Sequence, residues 1–250
     1  MTNEKPSVFV FGPTGNLGPT WVETAVEEGW DVIGLGLGKP DKQLNSLMLD
    51  SVELDLLDLN KSQLMESFSK HKPSTIIFNS GIDSPPGHGK NLIQDFEHDS
   101  WEKIFQVNLF GFVRIMNLLL QNPEKLNNVI AVGSMYASLS PNFNLYSHCQ
   151  DGNGTLKHPA YGASKAALKS VIEQFGATLA PKGIRLNMLS PGGVKGNQDL
   201  EFVRKFSDRT PLSRLAEPKE LKSALRFLLD PENSYLTGQD IVVDGGFKLW

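Results

Sequence analysis

Residues 7–18 read Ser7-Val8-Phe9-Val10-Phe11-Gly12-Pro13-Thr14-Gly15-Asn16-Leu17-Gly18. After Ser7, Val8–Phe11 are the β-branched and aromatic types that suit a buried strand, and a glycine-rich turn follows at once. Behind it, Pro19–Glu28 has helical periodicity. Strand, glycine turn and helix in this order are what a dinucleotide fold requires. One glycine makes the tight turn, one lets the backbone approach a pyrophosphate, and one packs the helix on the strand. Free amides and the positive dipole end at the helix start then face the phosphates. Glycine-rich turns also punctuate ordinary loops, but the position of this one favours a phosphate cradle made of Gly12, Thr14, Gly15, Asn16, Leu17 and Gly18.

The alternation continues outward from this unit. Apolar runs at Asp31–Leu35, Val52–Leu54, Thr75–Phe78, Asn128–Val132, Arg185–Met188 and Asp240–Val243 predict strands. Between them, Lys61–Ser69, Trp101–Leu120, Pro159–Leu179 and Pro218–Leu229 predict helices. Strands that barely alternate belong to a parallel sheet buried on both faces. The βαβα order implies an α/β protein, a Rossmann-type doubly wound parallel sheet with helices on both faces. No linker, repeat or composition break divides residues 1–250, so a single domain is expected. Ser138–His158 stands out as long, polar, aromatic and rich in Asn and Gly. It reads as an inserted substrate loop, with a surface insertion as the plain alternative.

Composition removes several function classes. With 24 basic and 28 acidic residues the net charge is −4, and no basic cluster stands out, so no nucleic-acid partner is expected. Cys149 is the sole cysteine, which excludes an intrachain disulfide and fits a reducing compartment. No apolar run approaches the roughly 18 residues of a membrane span. The start, MTNEKPSVFVFG, has no basic region or cleavage site, so a cytoplasmic protein is expected. His88, His98, His148 and His158 form no spaced ligand set with cysteine or carboxylates, and no metal is expected.

The tip of the second strand usually selects the cofactor. An acidic residue there binds ribose hydroxyls, and a basic one pairs with a 2′-phosphate. Here the tip is Gly34-Leu35-Gly36-Leu37-Gly38-Lys39, without a carboxylate. Lys39 inclines the choice to NADP over NAD, a solvated lysine being the other reading. Asp55 and Leu56, after the third strand, are placed to seat an adenine edge, unless Asp55 only shapes a turn.

Tyr161-Gly-Ala-Ser-Lys165 lies in a predicted helix, so both side chains share one face. A phenol titrates near 10, and a cation one turn away is expected to lower that value. Spacing alone equally suits a solvated helix face. The surrounding motifs decide: Gly12–Gly18, Asn79-Ser80-Gly81, Asn108, Ser134, Tyr161 with Lys165, Asn187, Pro191–Val194 and Asp244-Gly245-Gly246 occur in order. Over essentially its whole length the chain resembles the short-chain dehydrogenase/reductase family.

The resemblance implies an NAD(P)-dependent oxidoreductase acting on a small molecule. Tyr161 would move the proton, Lys165 would lower its pKa and hold the nicotinamide ribose, and Ser134 would bind the substrate oxygen. Asn108 would hold a water leading from Lys165 to solvent. Asn79, Ser80 and Gly81 would face the cofactor, and Pro191, Gly192 and Val194 would lie over the nicotinamide. A homotetramer or homodimer is implied, with the helices around Trp101–Leu120 and Tyr161 and the tail Asp244–Trp250 at its interfaces.

Two departures from the family pattern matter. Asn16 stands in the usual middle glycine slot, and Ser134 is separated from Tyr161 by about twice the usual gap. Within that gap Phe143 and Tyr146 offer flat faces for a sugar ring, while Asn142, Asn144, Asp151 and Asn153 offer hydrogen bonds. Pro141–Tyr146, Gly193–Gln198 and Arg209–Leu212 are similar to a bacterial subgroup associated with flagellin glycosylation and legionaminic-type acids. That implies a sugar or sugar phosphate substrate in surface-glycan biosynthesis, with contacts from His148 or His158 unless these are surface histidines. A sugar epimerase or dehydratase and a non-catalytic dinucleotide sensor are the alternatives.

Overall fold

The computed structural model describes residues 5–84, 97–121, 123, 125–149 and 157–249. His88, Asp151, Asn153 and Trp250 lie outside them. Seven parallel strands form one sheet in the order β3-β2-β1-β4-β5-β6-β7. They are β1 Ser7–Phe11, β2 Asp31–Gly36, β3 Asp50–Glu53, β4 Thr75–Phe78, β5 Asn128–Val132, β6 Arg185–Pro191 and β7 Asp240–Val243. The helices are α1 Gly18–Glu27, α2 Lys42–Leu47, α3 Lys61–His71, α4 His98–Phe105, α5 Gly111–Leu119, α6 Pro159–Leu179, α7 Leu200–Arg209 and α8 Lys222–Leu229.

Alternation along β1 divides the core. Phe9 and Phe11 face one side, with Leu64 and Phe68 of α3, Phe112 and Ile115 of α5, and Leu168 and Ile172 of α6. Val8 and Val10 face the other, with Trp21 and Val22 of α1, Leu44 of α2 and Leu225 of α8. Both faces are covered, as the uniformly apolar strands require. A third cluster forms beyond the sheet. There Tyr136, Tyr146, Phe206 of α7, Leu215 and Phe247 pack together, with Phe206 and Phe247 stacked at 4.5 Å.

The helix expected over Trp101–Leu120 is not continuous. A π-helical turn, Gln106–Phe110, separates α4 from α5. The insertion after Ser134 holds two short 3₁₀ turns, Met135–Ala137 and Phe143–Tyr146. Because β1 sits between β2 and β4, the connections leave its C-terminal end in opposite directions. A crevice opens there, where open α/β sheets bind ligands.

Candidate active site

A cleft of about 680 Å³ occupies that crevice and extends past the ends of β4, β5 and β6. At one end lies the glycine turn. Gly12 has φ +78°, and a Cβ on Gly18 would stand 2.3 Å from the Pro13 carbonyl oxygen, so neither position accepts a side chain. Asn79 Nδ2 donates to the Gly12 carbonyl at 2.8 Å, and its Oδ1 accepts from Trp21 Nε1 at 2.8 Å. Ser80 packs beneath Gly12, and Thr14 Oγ1 donates to the Leu37 carbonyl at 2.9 Å, which ties the turn to the loop after β2.

Gly12, Thr14, Gly18 and Ser80 therefore shape the turn, while Gly15, Asn16, Leu17, Asn79 and Gly81 line the cleft. No side chain caps α1 at Leu17, whereas Asp41, Asn60 and Asp199 cap α2, α3 and α7. This end fits a pyrophosphate. Pro191, Gly192 and Val194 form the adjoining wall. Lys39 is exposed on the loop after β2, outside the cleft lining. Asp55 and Leu56 also lie outside it. Asp55 Oδ1 accepts from the Leu57 amide at 2.8 Å, the turn role, and Leu56 is buried in the core.

At the other end Ser134 follows β5 and Tyr161 stands in the first turn of α6, both in the cleft wall. Ser134 Oγ accepts from the Tyr136 amide at 3.2 Å. Lys165 is buried, and its ammonium donates to the Val132 carbonyl at 2.8 Å. A Cβ on Gly81 would reach within 3.3 Å of Lys165 Nζ, so this glycine makes room for the lysine.

Burial pushes the Tyr161 phenol above its ordinary value, the Asp83 charge adds to the rise, and a hydrogen bond with Ser134 opposes it. Burial also pulls Lys165 down to about 8, against the opposing effect of Asp83. Lys165 does not set the direction of the phenol shift. Lys165 Nζ is 5.9 Å from the Tyr161 ring centroid, and desolvation governs both groups.

Asn108 is buried in the π-helical turn. Its Oδ1 accepts from the Ile82 amide at 2.7 Å, and its Nδ2 donates to the Ile82 carbonyl at 2.9 Å and to Ser164 Oγ at 3.0 Å. It is a strut joining the segment after β4 to α6. His158 is neither a ligand contact nor a surface histidine. Nδ1 accepts from the Ala160 amide at 3.1 Å to cap α6, Nε2 meets Ser100 Oγ at 2.7 Å, and the ring packs on Trp101. Tyr146 lines the cleft, but Phe143 is 64% exposed outside it.

The fold also assembles a group that sequence spacing did not show. His148, Cys149 and Asp199 bring potential ligand atoms within 4.8 Å of one another. His148 Nε2 is 2.8 Å from Asp199 Oδ1, and Lys205 Nζ is 3.3 Å from the other ring nitrogen. An ammonium donating to Nδ1 leaves Nε2–H to donate to the carboxylate, so Lys205, His148 and Asp199 form a hydrogen-bond relay.

A family model described as enoyl-(acyl carrier protein) reductase matches residues 18–248. The chain belongs to the short-chain dehydrogenase/reductase family. It is an NAD(P)-dependent oxidoreductase of that family. An uncharacterized oxidoreductase of Bacillus subtilis, YxbG, is 26% identical, covering 99% of this chain and 92% of the relative. The 3-oxoacyl-[acyl-carrier-protein] reductase FabG of Buchnera aphidicola is 23% identical over the whole of both chains.

Solved short-chain dehydrogenase structures share the fold. One from Leptospira borgpetersenii with bound NAD+ has TM-score 0.82 at 24% identity, covering 98% of this chain and 93% of that one. Aldohexose dehydrogenase of Thermoplasma acidophilum has TM-score 0.80 at 23% identity, covering 99% and 95%. Among the described residues no helix is long and apolar enough to cross a membrane.

Among the side chains of this cleft that sequence reasoning missed are Tyr136, Asp83 and Lys157. None lies in a family motif. Their one signal was position, beside Ser134, beside Gly81 and at the end of the insertion.

Proposed function

We propose that the chain interconverts an alcohol and a carbonyl on a polar, hydroxylated small molecule, a sugar or sugar phosphate derivative, with NADP favoured over NAD. The observation that carries this is the make-up of the cleft beyond Ser134 and Tyr161. Asp83, Lys157, Asn197, Gln198 and Asp199 line it together with Tyr136 and Tyr146. Aromatic faces among hydrogen-bonding groups suit a sugar better than an alkyl chain. An aldohexose dehydrogenase among the proteins sharing the fold is compatible with that.

The glycine turn would hold the dinucleotide, with Gly15, Asn16, Leu17 and Asn79 toward its phosphates and Pro191–Val194 toward its nicotinamide. When bound, it supplies or accepts the hydride. Ser134 Oγ donates to the substrate oxygen and stabilises the charge that develops there. Tyr161 gives its phenolic proton to that oxygen in reduction and takes it back in oxidation. Lys165, held by the Val132 carbonyl, supports the phenolate formed in reduction. Asn108 positions Gly81 and Ile82 against this lysine.

Cofactor absorbance would be followed against aldoses, aldonates, sugar phosphates and nucleotide sugars. Turnover of a sugar derivative is the expected result, and oxidation or reduction of none of them overturns the substrate class. A second reading, reduction of a 3-oxoacyl thioester, is favoured by the full-length match to the Buchnera reductase. Acetoacetyl thioesters in the same assay discriminate, since only that reading expects them to outperform the sugars.

A further inference from the structure

Lys157 and Asp83 form an ion pair inside the cleft, and neither belongs to the proton-transfer machinery. Lys157 leads directly into α6, and its ammonium stands over three tyrosine rings, 5.8 Å from the centroid of Tyr136, 5.9 Å from Tyr146 and 5.2 Å from Tyr161. All three distances are in cation–π range, so the rings hold the charge in place independently of Asp83. The two partners are unequally covered. The Lys157 side chain is 8% exposed and that of Asp83 is 37% exposed.

We propose that Lys157 is the specificity residue for an anionic substrate group, a carboxylate or a phosphate, and that Asp83 is a counterion which the substrate displaces. A buried ammonium needs a negative partner at all times, because leaving it unpaired is costly. A half-exposed carboxylate is released into water at little cost. When the two separate, the lysine therefore stays and exchanges partners. An entering amine would instead have to draw Asp83 inward and leave Lys157 bare.

The anionic group sits beside the ring whose hydroxyl exchanges the proton, which places it a few bonds from the reacting carbon. The inference deepens the sugar-derivative reading and rests on it, narrowing the class to sugar acids and sugar phosphates.

The test uses the full chain saturated with whichever of NADH and NADPH it binds. Calorimetric titrations with inorganic phosphate and with acetate separate the two anion classes. Saturable millimolar binding of at least one is expected, weakened tenfold or more in Lys157→Met. In Asp83→Asn the competing carboxylate is gone, so the same anion should bind several-fold tighter and raise the melting temperature more than in wild type.

Absence of binding in both wild type and Asp83→Asn overturns the proposal, as does undiminished binding in Lys157→Met. Turnover of neutral aldoses in preference to aldonates and sugar phosphates would sink this inference and leave the sugar reading standing. Lys157-dependent anion binding without turnover of any sugar derivative would do the reverse.

Discussion

Tyr161 is protonated at neutral pH, as a phenol ordinarily is, so it is in the form that can give a proton to a carbonyl, and its surroundings raise it further and hold that proton more tightly. Tyr161→Phe should keep the fold and cofactor binding but lower kcat on the order of 10² or more, the usual scale for losing a general acid. Near-normal turnover in a stopped-flow assay would reject the assignment. Lys165 is the costlier residue. Burial holds it at about 8, below the ordinary lysine value of 10.5. Between those two pH values the unfolded chain holds more protons, so this lysine makes stability rise with pH across that window. Below 8 the full cost of burying the charge is present. Lys165→Met should therefore be more stable than wild type at pH 7, by on the order of 1–3 kcal/mol, while losing activity. Urea midpoints at pH 7 and pH 9.5 check it, the gap narrowing at the higher pH. On the loop after β2, Lys39→Ala should weaken NADPH binding roughly fivefold and leave NADH unchanged, as expected of an exposed charge pair. Fluorescence titration with both cofactors decides, and equal losses would remove Lys39 from cofactor selection.

The elements around the site differ in how much of them sequence could show. The π-helical turn is the clearest case of a hidden one, because one extra residue per turn leaves the apolar pattern of Trp101–Leu120 nearly intact. Its consequence is Asn108, whose two ends hold both backbone groups of Ile82. Asn108→Ala would leave the part-buried Ile82 amide and carbonyl without their side-chain partner, so a loss of about 1–3 kcal/mol is expected in denaturant unfolding. In the insertion, Tyr146→Ala should raise KM for substrate with cofactor affinity unchanged, while Phe143→Ala should change neither. Steady-state kinetics on both variants test whether the insertion is the substrate loop. Six strands and the glycine turn were legible because buried parallel strands are apolar throughout and glycine answers to backbone geometry alone. The edge strand β3 was read two residues late, since three of the four residues in Asp50-Ser51-Val52-Glu53 are polar. Helix α2 is one short, mostly polar turn, and α7 was missed although Asp199 caps it by accepting from the Phe202 amide at 2.8 Å. The Lys157–Asp83 contact joins residues 74 apart, and no local pattern encodes it.

At the scale of the whole molecule, Phe247 is buried in its own chain, so the tail completes the third cluster rather than projecting from it. The outer side of the π-helical turn is different, with Phe110 45% exposed. A homodimer or homotetramer is expected, and light scattering at micromolar concentration should give two or four times 27.6 kDa; a monomeric mass would reject it. On one face of the sheet, Lys222 and Arg226 of α8 grip Glu23, Glu27 and Glu28 in and just after α1, joining the early and late parts of the chain at one surface. The strand order has its own consequence for how the protein is made. After β3 the chain returns to lay β4 against β1, and every later strand is added to the newest free edge in the order in which it is synthesised. A nascent chain can therefore assemble the sheet as it leaves the ribosome, without withdrawing a strand already placed. Until Asp240–Val243 emerges, the outer side of β6 is an unprotected edge. Stalling or truncation in the last stretch should thus yield a protein that has its proton-transfer residues and aggregates through β6.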